Sequence, residues 1–229
     1  MLIGGLQKLS LIDYPGKVAT VVFTQGCFFR CHFCHNPSLV LPEKFEKPIP
    51  EERFFDFLDN RKNKLDGVVI TGGEPTIHQD LSSFIEKIKK RDFLVKLDSA
   101  GIFPDRIETL LNRKLIDYIA MDVKAPLNKY EKVTGKAPPK HAIEKSISLI
   151  KNSGIDYEFR TTILNELHTP DDIMEILKLV SGSKRYILQA FRPNDTVNEK
   201  FSNATTFTNE TFQKLQKQAE KYVDICLVR

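Results

Sequence analysis

The sequence has no second pair of closely spaced cysteines. Four occur in 229 residues: Cys27, Cys31 and Cys34 within one short stretch, and Cys226 near the other end. A structural zinc site built from two paired Cys or His units therefore lacks its second half. No window approaches the ~18 apolar residues of a membrane span. No charged segment followed by an apolar run stands at the N-terminus, which predicts a chain without a signal peptide. Clustered thiols without an export signal predict a reducing, cytoplasmic setting and a metal rather than disulfides. No basic block is present either. The net charge is +4 with Lys/Arg and Asp/Glu mixed along the chain, so the composition predicts a solvated surface and no nucleic-acid partner. No internal repeat is visible. With 41% hydrophobic residues, the chain can bury a full core, and a single domain over 1–229 is expected.

What is present centres on Thr24–Pro37, TQGCFFRCHFCHNP, with the spacing C-x3-C-x2-C. Two metals fit three thiols on one loop. Zinc would need His32 or His35 to close a four-ligand shell. A four-iron cluster takes one thiolate per iron, so three cysteines leave one iron open to a small molecule. Cys226 lies in the apolar run Tyr222–Val228, where a free Cys behaves as a small core residue rather than a fourth ligand.

Leu2–Leu9 and Lys17–Thr24 read as hairpin strands around Asp13-Tyr14-Pro15-Gly16. Val18–Thr24 is almost continuously apolar, as a strand covered on both faces must be. Asn36–Pro50 holds Pro37, Pro42, Pro48 and Pro50 and is predicted extended and non-helical. Strands at Gly67–Thr71, Phe93–Leu97, Leu115–Met121, Ile155–Thr162 and Arg185–Ala190 then alternate with helices. The helices are expected at Glu51–Arg61, His78–Lys90, Pro104–Arg113 and Lys140–Asn152, after the Thr169-Pro170 cap, and at Thr208–Lys221. Pro193–Phe207 reads as a polar surface loop. This alternation predicts an α/β fold with a parallel sheet. About six units are too few for an eight-fold barrel, so a partial barrel and a doubly wound sheet both fit. The polar residues Gly72-Gly73-Glu74, Asp98, Asp122-Val123-Lys124 and Arg192 each follow a predicted strand. In a parallel barrel they would share one mouth with the cysteine loop. Each has a plainer reading: the glycines as a turn with positive φ, Asp122 and Lys124 as a surface ion pair.

The cysteine motif, with Phe33 just before its last Cys, resembles the signature of the radical S-adenosylmethionine (SAM) enzymes. Ser10–Lys17 (SLIDYPGK), His35-Asn36-Pro37 and Thr71–Pro75 (TGGEP) are similar to the activating enzymes of glycyl radical enzymes, above all the longer form of the anaerobic ribonucleoside-triphosphate reductase activating protein. The likeness runs from about Gly5 to Pro193. It implies a partial (β/α)6 TIM-type barrel, with an N-terminal β-hairpin extension over 1–24 and a cluster loop over 25–37. It also implies a 4Fe–4S cluster on Cys27, Cys31 and Cys34, whose fourth iron SAM chelates through its amino and carboxylate groups. By the same resemblance Gly72, Gly73 and Glu74 meet the methionine end of SAM, Glu74 accepting from its amino group. Asp122, Val123 and Lys124 take its ribose and methionyl parts, and Asp98 joins Asp122 around the carboxylate through a bound cation. Phe33 and His35 contact adenine or shield the cluster. Arg192 stands where the pyruvate formate-lyase activase has a SAM-contacting His. Arg160, inside a strand, is a second cation that needs a carboxylate partner. No side chain need act as acid or base.

The implied activity is reductive cleavage of SAM to a 5′-deoxyadenosyl radical that generates a glycyl radical on the anaerobic ribonucleotide reductase. The implied electron donor is a flavodoxin or ferredoxin. The alternatives are activation of pyruvate formate-lyase or another glycyl radical enzyme, radical SAM chemistry on a small molecule, and a non-enzymatic electron carrier or zinc module.

Overall fold

The computed structural model describes every residue, Met1–Arg229. The chain forms two compact units. The first holds Met1–Phe28, Asn36–Ser99 and Asp105–Ile119; the second holds Phe29–His35, Ala100–Pro104 and Ala120–Arg229.

In the first unit β1 (Ile3–Ser10) pairs antiparallel with β2 (Ala19–Thr24). The Ser10 hydroxyl accepts from the backbone N–H of Ile12 and Asp13, the local bond that lets a serine start a turn. β2 then pairs parallel with β3 (Gly67–Gly72), and β3 with β4 (Leu94–Ser99). Val21, Val22, Val68, Val69 and Ile70 are buried, which accounts for the unbroken apolar runs. Each such side chain contributes about 1.5–3 kcal/mol on burial. Helices α2 (Glu51–Asp59) and α3 (Leu81–Lys89) bury Phe54, Phe55 and Leu58, and Leu81, Phe84, Ile85 and Ile88. The rings of Phe54 and Phe84 stack at 5.4 Å. The predicted start at His78 is too early, because Pro75–Ile77 closes its own 3-10 turn and leaves His78 extended. α4 (Pro104–Asn112) begins on its proline as expected.

The extended reading of Asn36–Pro50 is corrected. Pro37–Val40 is a short helix, α1, and Pro42–Lys44 a 3-10 turn. A proline in the first helical position gives up an N–H that would have no partner, so proline opens these turns rather than forbidding them.

β5 (Tyr118–Asp122) is divided: Tyr118 and Ile119 belong to the first unit, Ala120, Met121 and Asp122 to the second. In the second unit β6 (Asp156–Ile163), β7 (Ser183–Ala190) and β8 (Val223–Val228) pair parallel in chain order. α5 (Tyr130–Thr134), which the sequence pattern does not announce, ends on Gly135 in the left-handed region. α6 (Ala142–Lys151) buries Ile143, Ile147 and Ile150. α7 (Pro170–Leu179) opens on a capping box between Thr169 and Asp172, and α8 (Asn209–Ala219) on a Thr208 cap. Pro193–Phe207 is not simply a surface loop. Thr196, Ala204 and Phe207 are buried, and Glu199–Phe201 forms a 3-10 turn. No helix is long and apolar enough to cross a membrane.

Candidate functional site

In the first unit β2 ends at Thr24 and the chain passes through Gln25 and Gly26 to Cys27. Pairing with β3 continues past the strand ends: Gly73 N–H donates to the Thr24 carbonyl and Glu74 N–H to the Gly26 carbonyl, each at 2.8 Å. A Cβ on Gly72 would stand 2.3 Å from the Thr24 nitrogen, and one on Gly73 2.0 Å from the Gly26 carbonyl oxygen. Gly72 also has φ +114°. The two glycines thus admit the backbone that delivers Cys27. Glu74 is buried. Its Oε1 accepts from Thr76 N–H (3.1 Å), from the Thr76 hydroxyl and from the Ser99 hydroxyl (2.8 Å), so it ties the end of β3 to the end of β4.

Asp98 lies within β4 rather than after it. Two residues earlier, on the same side of the strand, Lys96 sets its ammonium against the Asp98 carboxylate. The two side chains are 2% and 15% exposed. The Lys96 Nζ also stands 5.8 Å from the centroid of the Tyr118 ring. Lys96 was not among the sequence candidates, although a Lys-x-Asp pair at strand period was its signal.

In the second unit the cysteine loop is clamped at several points. Arg30 N–H donates to the Thr134 carbonyl at the end of α5 (2.8 Å). Val197 N–H donates to the Cys34 carbonyl (2.9 Å) and Asn198 N–H to the His32 carbonyl (3.0 Å). The His32 ring stacks on Phe201, 5.4 Å apart and 10° from parallel. Phe33 is buried. His35 is bonded to the Arg192 backbone carbonyl and tilts against Phe191 at 4.9 Å. Partial burial lowers its pKa against the pull of that bond. Arg192 is exposed, and the contact is made by its backbone rather than its guanidinium. His35, Phe191 and Arg192 line a cavity of about 480 Å³ with Thr162, Gln189 and Asn194.

The second unit also gathers Asp122, Lys124 and Arg160. Arg160 Nε donates to one Asp122 oxygen and Lys124 Nζ to the other, both at 2.8 Å. Arg160 therefore finds its carboxylate within the chain. Burial disfavours the charge on Asp122, yet Arg160 and Lys124 outweigh it and hold the carboxyl well below its usual range. Burial likewise opposes the Lys124 charge, and Asp122 overrides it and raises the ammonium above the ordinary lysine value. Their side chains are still 24% and 16% exposed, so solvent reaches the pair. Burial pushes the Cys31 thiol up to about 12, with Lys124 acting in the opposite direction.

No three His, Cys, Asp or Glu side chains stand gathered around a metal position, so metal type is judged on donor chemistry. Of the two imidazoles that could close a zinc shell, His35 is bonded to the Arg192 carbonyl, and the His32 ring lies stacked on Phe201 with its Nδ1 3.5 Å from the Asn198 amide nitrogen. Cys226 is buried in β8, its thiol pushed up to about 12 by that burial, which makes it an inert core residue. Three thiols on one loop without a second cysteine pair fit an iron–sulfur cluster better than a closed zinc shell. Cys226→Ala is expected to leave iron per chain unchanged after reconstitution; loss of one iron per chain would make Cys226 a ligand.

The Radical SAM superfamily profile matches residues 21–180. The chain belongs to the radical SAM superfamily. A radical SAM enzyme of this family uses a 4Fe–4S cluster and SAM. A protein of Methanocaldococcus jannaschii, provisionally named a glycyl-radical enzyme activating enzyme, is 35% identical over all of this chain and 95% of its own length. The pyruvate formate-lyase-activating enzyme of Clostridium pasteurianum is 28% identical over 79% of this chain and 76% of its own. These relatives make the chain a radical SAM enzyme of the glycyl-radical-enzyme activating group. Streptococcus suis SuiB bound to S-adenosylmethionine superposes with a TM-score of 0.69 at 15% identity, over 91% of this chain and 49% of SuiB. The chain thus spans about half of SuiB. TYW1 with a lysine-pyruvate adduct gives 0.61 at 19% identity, over 88% of this chain and 72% of that one. At such identities the likeness shows the fold, and it bears out the α/β, radical SAM partial-barrel class.

Proposed function

We propose that this radical SAM enzyme generates the glycyl radical of an anaerobic ribonucleoside-triphosphate reductase. The observation that carries the reading is the loop Cys27-x3-Cys31-x2-Cys34, read with the fixed charge triad Asp122–Lys124–Arg160. The choice of reductase rests on the SLIDYPGK, HNP and TGGEP segments. Activation of pyruvate formate-lyase is the second reading, favoured by the similarity to the Clostridium pasteurianum enzyme.

Cys27, Cys31 and Cys34 would hold three irons of the cluster. When bound, the cluster and SAM supply a one-electron reductive cleavage whose organic radical takes hydrogen from a partner's glycine. The protein's share is to bind, orient and exclude. Lys124 and Arg160 would meet the SAM carboxylate, with Asp122 holding both cations in place and facing the ribose. Asp98, with Lys96 as its built-in cation, would help bind the methionyl end. By the resemblance, Gly72 and Gly73 would meet the methionine end of SAM, and Glu74 would accept from its amino group. Val123 supports this segment from the buried side. His35, Phe191 and the cavity beside Arg192 would take the adenine, and Phe33 would shield the cluster. A flavodoxin or ferredoxin would deliver the electron.

Anaerobic reconstitution tests this. The expected result is a four-iron spectrum that SAM perturbs, 5′-deoxyadenosine on reduction, and a glycyl radical signal on a reductase partner but not on a lyase. A signal on the lyase alone would transfer the assignment to the second reading. Stoichiometric zinc, or a cluster indifferent to SAM, would overturn both.

A further inference from the structure

The charge triad is held by uncharged groups that the sequence does not flag. Val123 N–H donates to the Arg160 carbonyl (2.8 Å), and the Val123 carbonyl accepts from the Thr161 hydroxyl (2.7 Å). That hydroxyl in turn accepts from the Tyr186 hydroxyl (2.6 Å). Lys124 N–H donates to the Tyr130 hydroxyl (3.1 Å). The remaining polar group of the segment, the Lys124 carbonyl, lies 2.9 Å from His168 Nε2. Every backbone donor and acceptor of Val123 and Lys124 is therefore engaged, as buried peptide groups require.

We infer that His168 is a positioning residue for SAM binding, acting through the Lys124 carbonyl. This rests on the proposed contact between Lys124 and SAM. His168 is buried, and its Nδ1 lies 3.3 Å from the Leu164 N–H, which donates to it. A ring nitrogen that accepts there carries no proton, so the proton sits on Nε2 and points at the Lys124 carbonyl. Burial lowers the pKa of the ring, which keeps it in this neutral form at neutral pH. The ring itself is fixed by a tight turn in which Leu167 and His168 N–H both donate to the Leu164 carbonyl, one residue before the Thr169 cap of α7. The loop after β6 thereby fixes the peptide plane where the chain leaves β5. That plane sets the direction in which Lys124 leaves the backbone. Without the bond the plane can rotate, and an ammonium shared between Asp122 and a ligand loses its pre-set position.

Two variants separate positioning from bulk stability. Gln at 168 can place an amide donor near the ε position, while Asn keeps an acceptor near δ and loses the ε donor. SAM affinity is read from the spectral change of the reconstituted cluster in the full chain. His168→Gln is expected to bind SAM within about twofold of wild type, and His168→Asn about five- to tenfold more weakly, the effect of one hydrogen bond. In a Lys124→Met background, His168→Asn should add no further loss. Two variants that bind SAM like wild type, or a full additional loss in the Lys124→Met background, would overturn the inference and leave the functional reading intact. Equal losses in both variants that follow their unfolding midpoints would also overturn it. A wild-type cluster that ignores SAM would overturn the functional reading itself.

Discussion

Gly73→Ala is expected to lower the stability of the fold by about 3–5 kcal/mol, the sum of an overpacked contact and two weakened backbone hydrogen bonds. The new methyl would stand 2.0 Å from the Gly26 carbonyl oxygen, and that oxygen is backbone with no rotamer to escape into. Either β3 or the Thr24–Gly26 segment must move, and the bonds from Gly73 N–H and Glu74 N–H to that segment lengthen. Cys27 follows Gly26 directly, so iron content after reconstitution should fall even where the variant still folds. Gly154 serves as the control. It has φ +77° with nothing within 4 Å of a built Cβ, so Gly154→Ala should cost only about 1–2 kcal/mol for the left-handed conformation. Urea unfolding of the two variants measures the difference. If Gly73→Ala proves no worse than Gly154→Ala, the close approach is not what demands glycine there.

Lys96→Met should cost about 3–5 kcal/mol, because it removes the ammonium from a buried ion pair and leaves the Asp98 charge in place. Met keeps most of the apolar stem, so the loss reports the charge rather than the volume. Adding Asp98→Asn should restore much of the stability by removing the charge that faced the lost ammonium. The coupling between the two substitutions, read from thermal or urea unfolding in a double-mutant cycle, would then be large and favourable. A cost below about 1 kcal/mol for Lys96→Met is what an exposed pair would show, and would mean that water enters where the side chains pack. SAM affinity of the double variant separates the two roles of Asp98. A stable chain with weakened SAM binding would place Asp98 at the ligand.

Most of the architecture was readable because it follows from local rules. The apolar run Val18–Thr24, the helix stripe Leu81, Phe84, Ile85 and Ile88, and the Thr169-Pro170 cap each report a short-range requirement. So does the cysteine spacing, which sits on one loop and needs no distant residue to be recognised. The errors fell where a residue has two opposite uses. Proline breaks a helix interior but opens a first turn, and Pro37 and Pro42 do the second. Asn198 and Phe201, in a stretch without pattern, hold the cysteine loop through one backbone bond and one ring face, and neither leaves a periodic trace.

Chain order and residue type alone were enough for the family, the strand–helix alternation and the burial of Cys226. Folding in three dimensions settled which polar groups meet: Arg160 with Asp122, Lys96 with Asp98, and His168 against the Lys124 carbonyl. The division has a physical cause. Periodicity and capping act over a few residues and are written consecutively, whereas a buried charge or carbonyl is satisfied by whatever group the packing brings near. His168 and Lys124 lie 44 residues apart, and no local rule links them.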